Sequence, residues 1–261
     1  NNIVSNVKPY WSNEENVSLL EPERKNKPNF AMEESPKTIN LIKPETIAES
    51  VCNLLNIEFK QPYETVYIGE KYGLDNFFVW VPDILHPIKE PPQPIEVRMD
   101  YHFDEAILEQ QLQTCPCAII TDKPINLELL KKYRPRVAHL FYEITKDDSP
   151  EFAQGARKAG LKIIPITRLS DEEISDKKVN YFDVGKINFV DEPEKELIKK
   201  IKNTDNLFYK SNKIIMSDAK RYSSHPKYLK GITSNNNFEP LDFSGNFFDD
   251  LDHYHIVKLL D

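Results

Sequence analysis

Between Ile95 and Val190 short apolar runs alternate with amphipathic stretches, and no other feature constrains the fold as tightly. The strand "IEVRMD" leads to the helix "DEAILEQQLQTC", and "CAIITD" leads to "NLELLKKYR". In turn "VAHLFYEI" leads to "SPEFAQGARKAG", and "LKIIPIT" to "SDEEISDKKV". The strands begin at residues 95, 117, 137 and 161, a repeat of βαβ size. A parallel pair needs such a crossover, because a tight turn cannot return the chain in the same direction. The helix starts carry their own signals: Asp104-Glu105, Asn126 with Glu128, Ser149-Pro150-Glu151, and Ser170 with Glu173 as a capping box. Gly160 stands where a helix C-terminus favours a left-handed residue. The fold class expected is α/β: a mainly parallel, Rossmann-like sheet with helices on both faces, an extended N-terminal tail and an irregular C-terminal tail.

The flanks divide the chain further. Residues 1–44 read as irregular, with Pro at 9, 22, 28, 36 and 44 removing donors and biasing their predecessors away from helix. "KPETIAESVCNLLNI" follows as a helix with one apolar face, Ile47, Val51, Leu54 and Leu55. "ETVYIG" and "FFVWVPD" read as strands, and "ILHPIKEPPQP", with four prolines, as a linker. The expected organisation is a tail and terminal helix at 1–60, two strands and the linker at 61–94, the α/β unit at 95–203, and an extension packing on the body at 204–261. "YFDVGKINFV" and "EKELIKKIK" are expected to extend the α/β repeat. "LFYKSNKIIMSD" reads as one or two strands, and "NFFDDLDHYHIVKLL" as an aromatic-acidic segment docking on the body.

Composition excludes several function classes. A formal charge of −8 argues against general nucleic-acid binding, which needs a basic surface to displace counterions. Seven glycines, none in a G-x-G-x-x-G or Walker-type run, leave no phosphate-cradling loop. No apolar run is long enough to span a membrane. Three cysteines fit a reducing, cytoplasmic setting. Cys115-Pro-Cys117 has one intervening residue where zinc and thioredoxin-like sites use two, so the pair reads as buried thiols. His253 and His255 would face one side of a strand, yet no third ligand is fixed by spacing, so no metal and no cofactor is expected.

In parallel α/β sheets ligands sit outside the carboxyl ends of the strands. Those ends supply Arg98, Asp100 and His102, then Asp122 and Lys123, then Glu143, then Thr167 and Arg168. Carboxylates beside cations could transfer protons, or hold a sugar hydroxyl and a phosphate. The same residue types also serve as ordinary solvated strand ends and helix caps. "SDAKRYSSHPKYL" gathers Lys220, Arg221, His225 and Lys227, either an anion-binding patch or a solvated basic loop.

Two stretches carry a resemblance. "NKPNFAMEESPKTINLIKPETIAESVCNLLNI" (26–57) resembles the closing segment of heptosyltransferase-like glycosyltransferases, family nine of the sugar transferases. Pro9-Tyr10-Trp11 stands for the "gPY" motif of that family, and Ile42 to Leu55 for its terminal helix. The stretch from "ETVYIGEKYG" to "CAIITDKPINLELLKK" resembles a C-terminal extension found on some phage and bacterial members. The resemblance implies an inverting nucleotide-sugar transferase with two Rossmann domains, of which this chain would be the last loop, the tail and an accessory α/β domain. The family's general base and its Gly…His-Leu-Ala donor signature have no counterpart here, so no catalytic residue carries over. The partners implied are a nucleotide sugar and a glycan or protein acceptor, with a homo-oligomer or a catalytic domain as the associate. Arg98, Asp100, His102, Asp122, Lys123, Glu143, Lys220 and Arg221 are the candidate substrate contacts. Two alternatives stay open: a non-catalytic structural or interaction module of a phage or cell envelope, and a small hydrolase or isomerase using strand-end carboxylates.

Overall fold

The computed structural model describes residues 17–20, 22, 42–73, 75–87, 93–190, 195–235 and 237–260. The expectation that residues 1–44 are irregular falls almost wholly outside them.

The described residues form two sheets. The larger has eight strands in the order β10-β9-β2-β3-β4-β5-β6-β7. These are β2 (Phe77–Trp80), β3 (Ile95–Arg98), β4 (Cys117–Thr121), β5 (Val137–Glu143), β6 (Ile163–Thr167), β7 (Asn188–Phe189), β9 (Lys213–Ser217) and β10 (Lys220–Tyr222). Every pairing is parallel except β10 with β9. Crossover helices α2 (Glu105–Thr114), α3 (Leu127–Lys132), α4 (Glu151–Lys158) and α5 (Asp171–Asn180) link β3 to β7. Because each parallel strand is laid beside the one before it, right-handed crossovers put these helices on one face.

Register and burial confirm that placement. Val97, Ile119, Leu140 and Ile163 form one row across β3 to β6. They share a core with Leu108 and Leu112 of α2, Leu130 of α3, Phe152 and Ala156 of α4, and Ile174 of α5. Local chemistry fixes the helix starts. Asp104 accepts the N–H groups of Ala106 and Ile107, Asn126 that of Glu128, and Ser170 with Glu173 closes a capping box. Pro150 caps α4 without a side-chain bond. Gly160 takes φ +77°, the left-handed turn expected of it.

The opposite face carries helix as well. Val79 and Ile215 there meet Tyr222 and Tyr228, the latter from α7 (His225–Lys230). Beside them lies a 3₁₀ helix, Phe247–His253.

The second sheet is antiparallel, in the order β1-β12-β8-β11. It comprises β1 (Tyr63–Ile68), β8 (Leu207–Ser211), β11 (Glu239–Pro240) and β12 (Tyr254–Leu259). Tyr209, Tyr254, Ile256, Phe247 and Leu251 build its core, joined by Ile201 of α6 (Lys195–Lys202).

Four features differ from the sequence expectation. The α/β unit starts at β2, not at residue 95, because β2 is a parallel strand of the same sheet. The C-terminal segment is built into the fold, since β9 enters the large sheet next to β2 with only Asn212 separating it from β8 of the small one. β7 does extend the parallel sheet, but α6 packs on the second core. Finally, α1 (Pro44–Leu54) docks through a polar residue. Glu45 is buried, whereas Ile47, Val51 and Leu55 are 46%, 48% and 62% exposed.

Candidate functional site

The chain order reverses between β9 and β3, flanking β2, and such a switch point is where an open α/β sheet forms its crevice. Arg98 ends β3 there, on the face opposite α2–α5, because Val97 before it points into the helix-covered core. Its guanidinium clamps Asp100 with two parallel bonds, Nε to Oδ1 at 2.8 Å and Nη2 to Oδ2 at 2.6 Å. Both side chains are about 5% exposed. The same guanidinium lies 3.8 Å from the ring centroid of Tyr101, and His225 stacks on Tyr101 at 4.4 Å and 17°. Cation, phenol and imidazole therefore fill the crevice as one stack.

The 3₁₀ helix closes the neighbouring part of this face. Asp250, 4% exposed, accepts a bond from Lys213 Nζ at 2.9 Å. Lys213 also stands 3.4 Å from Glu96 Oε1, a contact of charges only, because that oxygen accepts no hydrogen bond. Asp249 accepts from Arg168 Nη2 at 2.7 Å, and Arg168 also holds Glu143. Three cations from β3, β9 and the end of β6 are thus matched to five carboxylates, two of them supplied by the 3₁₀ helix.

The pairing sets the charge states. Burial works against the Asp250 carboxylate, but Lys213 and Arg98 outweigh it and hold its pKa below the ordinary value. Burial likewise opposes the Lys213 ammonium, and Asp250 with Glu96 more than restores it, so its pKa is raised. For Asp249 burial wins over Arg168, and its pKa is raised. Burial, reinforced by the Arg98 charge, lowers that of His225. Lys213 and Asp250 therefore stay charged at neutral pH as a desolvated pair.

Of the candidate contacts, Arg98, Asp100 and Glu143 belong to this cluster, as does the strand-end residue Arg168. The others do not converge on it. His102 and Lys123 are exposed, and Lys123 lies 5.9 Å from the Phe103 ring. Asp122 follows β4 half-buried, with Oδ1 enclosed and without a hydrogen-bond partner. Lys220 and Arg221 sit on β10, three strands from β3, where Lys220 pairs with Asp218 and Arg221 lies over Phe78. The basic run is no patch, since Lys227 pairs with Glu239 and His225 turns into the Tyr101 stack.

Cys115 and Cys117 are both buried thiols. Hydrogen bonding from Cys117, against burial, pulls the Cys115 pKa down to about 6. His253 and His255 face different neighbours, Asn212 with Phe77 and Thr65 with Tyr63. Among the described residues no group of His, Cys, Asp and Glu is arranged to hold a metal, and no helix is long and apolar enough to cross a membrane.

Sequence reading missed Lys213 and Tyr101, which have no local signal. Asp249 and Asp250 stand out as an acidic run and His225 as part of a basic one, but nothing local shows that the runs meet across the sheet. The fold and the site together define an α/β protein whose switch-point charges are paired within the chain. Comparison with protein-family models, with curated proteins and with solved structures finds no match.

Proposed function

We propose that this chain is an accessory α/β module of a nucleotide-sugar-dependent glycosyltransferase and does not itself carry out the transfer. One observation carries the second half of that reading. The cations that would hold a donor phosphate at the switch point are already committed to carboxylates of the same chain. Asp100 is engaged by Arg98, Glu143 by Arg168, and Lys213 by Asp250. A phosphate site needs cations not already neutralised. The association with a transferase rests on the resemblance of residues 26–57.

Two measurements test the reading. Incubation of the whole chain with a panel of nucleotide sugars is expected to release no nucleoside diphosphate, and release would refute it. The reading frame upstream of Asn1 is expected to encode a Rossmann-like segment ending in a Gly…His-Leu-Ala run. A start codon immediately before Asn1 would remove the transferase association.

A second reading, a non-catalytic interaction module without a transferase, is favoured by α1. Its apolar stripe of Ile47, Val51, Leu54 and Leu55 faces outward. Stable association with an unrelated protein, together with the absence of the upstream segment, would select it.

A further inference from the structure

On the seam between the two sheets lies a partly enclosed cavity of about 160 Å³. It is bounded by the segment after β1, by β8 and the start of β9, and by the loop before β11. The floor is a saturated network. The buried carboxylate of Glu239 accepts the Ser223 hydroxyl at 2.8 Å and the Asn235 N–H at 3.2 Å, and it pairs with Lys227 at 3.3 Å. The Tyr209 hydroxyl is shared between Ser223 and Ser224 at 2.8 and 2.9 Å. Every polar group of this floor is partnered, and the one carboxylate there is neutralised from behind.

The rim has a different character. The side chains of Asn76, Asn235 and Asn237 are exposed and line the opening, with the half-buried ring of Tyr72 beside them. Asn235 spends its carbonyl on the N–H of Asn237 at 2.9 Å, leaving its NH₂ to donate. Side-chain amides present donors and acceptors side by side without net charge. An aromatic ring adds an apolar face that packs against C–H groups.

Amides and a tyrosine around a small neutral floor suit a ligand dense in hydroxyls and free of charge. A phosphate is poorly served, because among the described residues Lys210 is the one cation lining the cavity and Glu239 faces inward. The volume falls below the ~300 Å³ at which drug-sized sites begin, so the fit is a single ring. We propose that this cavity binds one uncharged pyranose residue of a glycan, with Asn76, Asn235 and Asn237 contacting its hydroxyls and Tyr72 its ring. The proposal rests on the chemistry of the cavity and stands whether or not the chain belongs to a transferase.

The test is a titration of the ¹⁵N-labelled whole chain with methyl α- and β-glycosides of glucose, galactose and mannose, with inorganic pyrophosphate as the charged control. At least one glycoside is expected to give saturable shifts at Tyr72, Asn235 and Asn237 in the millimolar range. The affinity should be nearly unchanged between about 50 and 500 mM salt, as befits a neutral ligand. Asn76→Ala and Asn237→Ala, both at exposed positions, should keep the spectrum of the folded chain. Each should weaken binding by up to about tenfold, the worth of one good hydrogen bond. The proposal is overturned if no glycoside saturates, if the shifts map elsewhere, if neither variant weakens binding, or if pyrophosphate displaces the glycoside.

Discussion

Thr65 gives both of its protons to Glu45: its backbone N–H donates to Oε1 at 2.6 Å and its hydroxyl to Oε2 at 2.8 Å. With the hydroxyl proton so committed, the Thr65 oxygen accepts from His255 Nε2 at 2.9 Å, which fixes the imidazole tautomer. All three side chains are buried. This chain of bonds ties α1 to β1 and β12. Thr65→Val would leave a buried carboxylate short of a donor and an imidazole N–H without an acceptor, at a cost of about 1–3 kcal/mol. Hydrogen exchange of the α1 amides should accelerate more than that of β4 and β5. Equal acceleration everywhere would show that the bonds do not anchor α1 in particular.

The two acids of the 3₁₀ helix should differ in weight. Asp250→Asn leaves Lys213 buried with only Glu96 at 3.4 Å and no hydrogen-bonded carboxylate, and such half-broken buried pairs cost about 3–5 kcal/mol. Arg168 keeps Glu143 when Asp249 is replaced, and this pair is partly solvated, so Asp249→Asn should cost about 1 kcal/mol or less. Urea midpoints of the two variants decide the matter, and equal losses would contradict the assignment.

The histidines should make stability fall as acid is added, beginning near pH 6.5. Burial lowers the pKa of His225, His253 and His255, so below the ordinary histidine value the unfolded chain takes up protons that the folded chain refuses. Their contribution is complete above about pH 6.5 and declines beneath it. Asp250 acts lower on the scale. Its depressed pKa keeps its contribution intact until below about pH 4, whereas the raised Asp249 pulls the other way. Thermal midpoints from pH 8 to pH 4 should trace this decline. A flat profile between about pH 7 and pH 5 would rule out these three imidazoles as its source.

Gly69→Ala should be among the most damaging single changes. A Cβ there would stand 2.1 Å from the backbone oxygen of Asp252 and 2.5 Å from that of Leu251. Backbone cannot swing aside as a side-chain end can, and the Gly69 N–H is already bound to Tyr254 at 2.8 Å. A loss of about 3 kcal/mol or more is expected, the upper end of overpacking, with the 3₁₀ helix displaced from the large sheet. An unchanged melting temperature would show that this approach is not tight.

The βαβ repeat was legible because its information is local. Asp104, Asn126 and Ser170 announce helices whose apolar residues then fall on one face. The second sheet was not. β8 and β9 read as one alternating run, and their assignment to different sheets depends on partners more than a hundred residues earlier in β2 and more than forty later in β12. The stripe on α1 misled for a related reason. Periodicity counts apolar residues, while the docking of this helix is decided by the two donors that Thr65 offers Glu45. Within the candidate site Arg98, Asp100 and Glu143 were visible as strand ends. Their state was not, because Lys213, Asp249 and Asp250, which complete the ion pairing on this face, come from the far end of the chain.

Calorimetric titration of the whole chain with a panel of nucleotide sugars, repeated on Arg168→Gln, tests the central claim most directly. If the switch-point charges are committed to one another, no nucleotide sugar binds there, and the variant behaves as the parent does. Stoichiometric binding of a nucleotide sugar that Arg168→Gln abolishes would contradict the claim, because it would show a cation of this cluster free to hold a ligand.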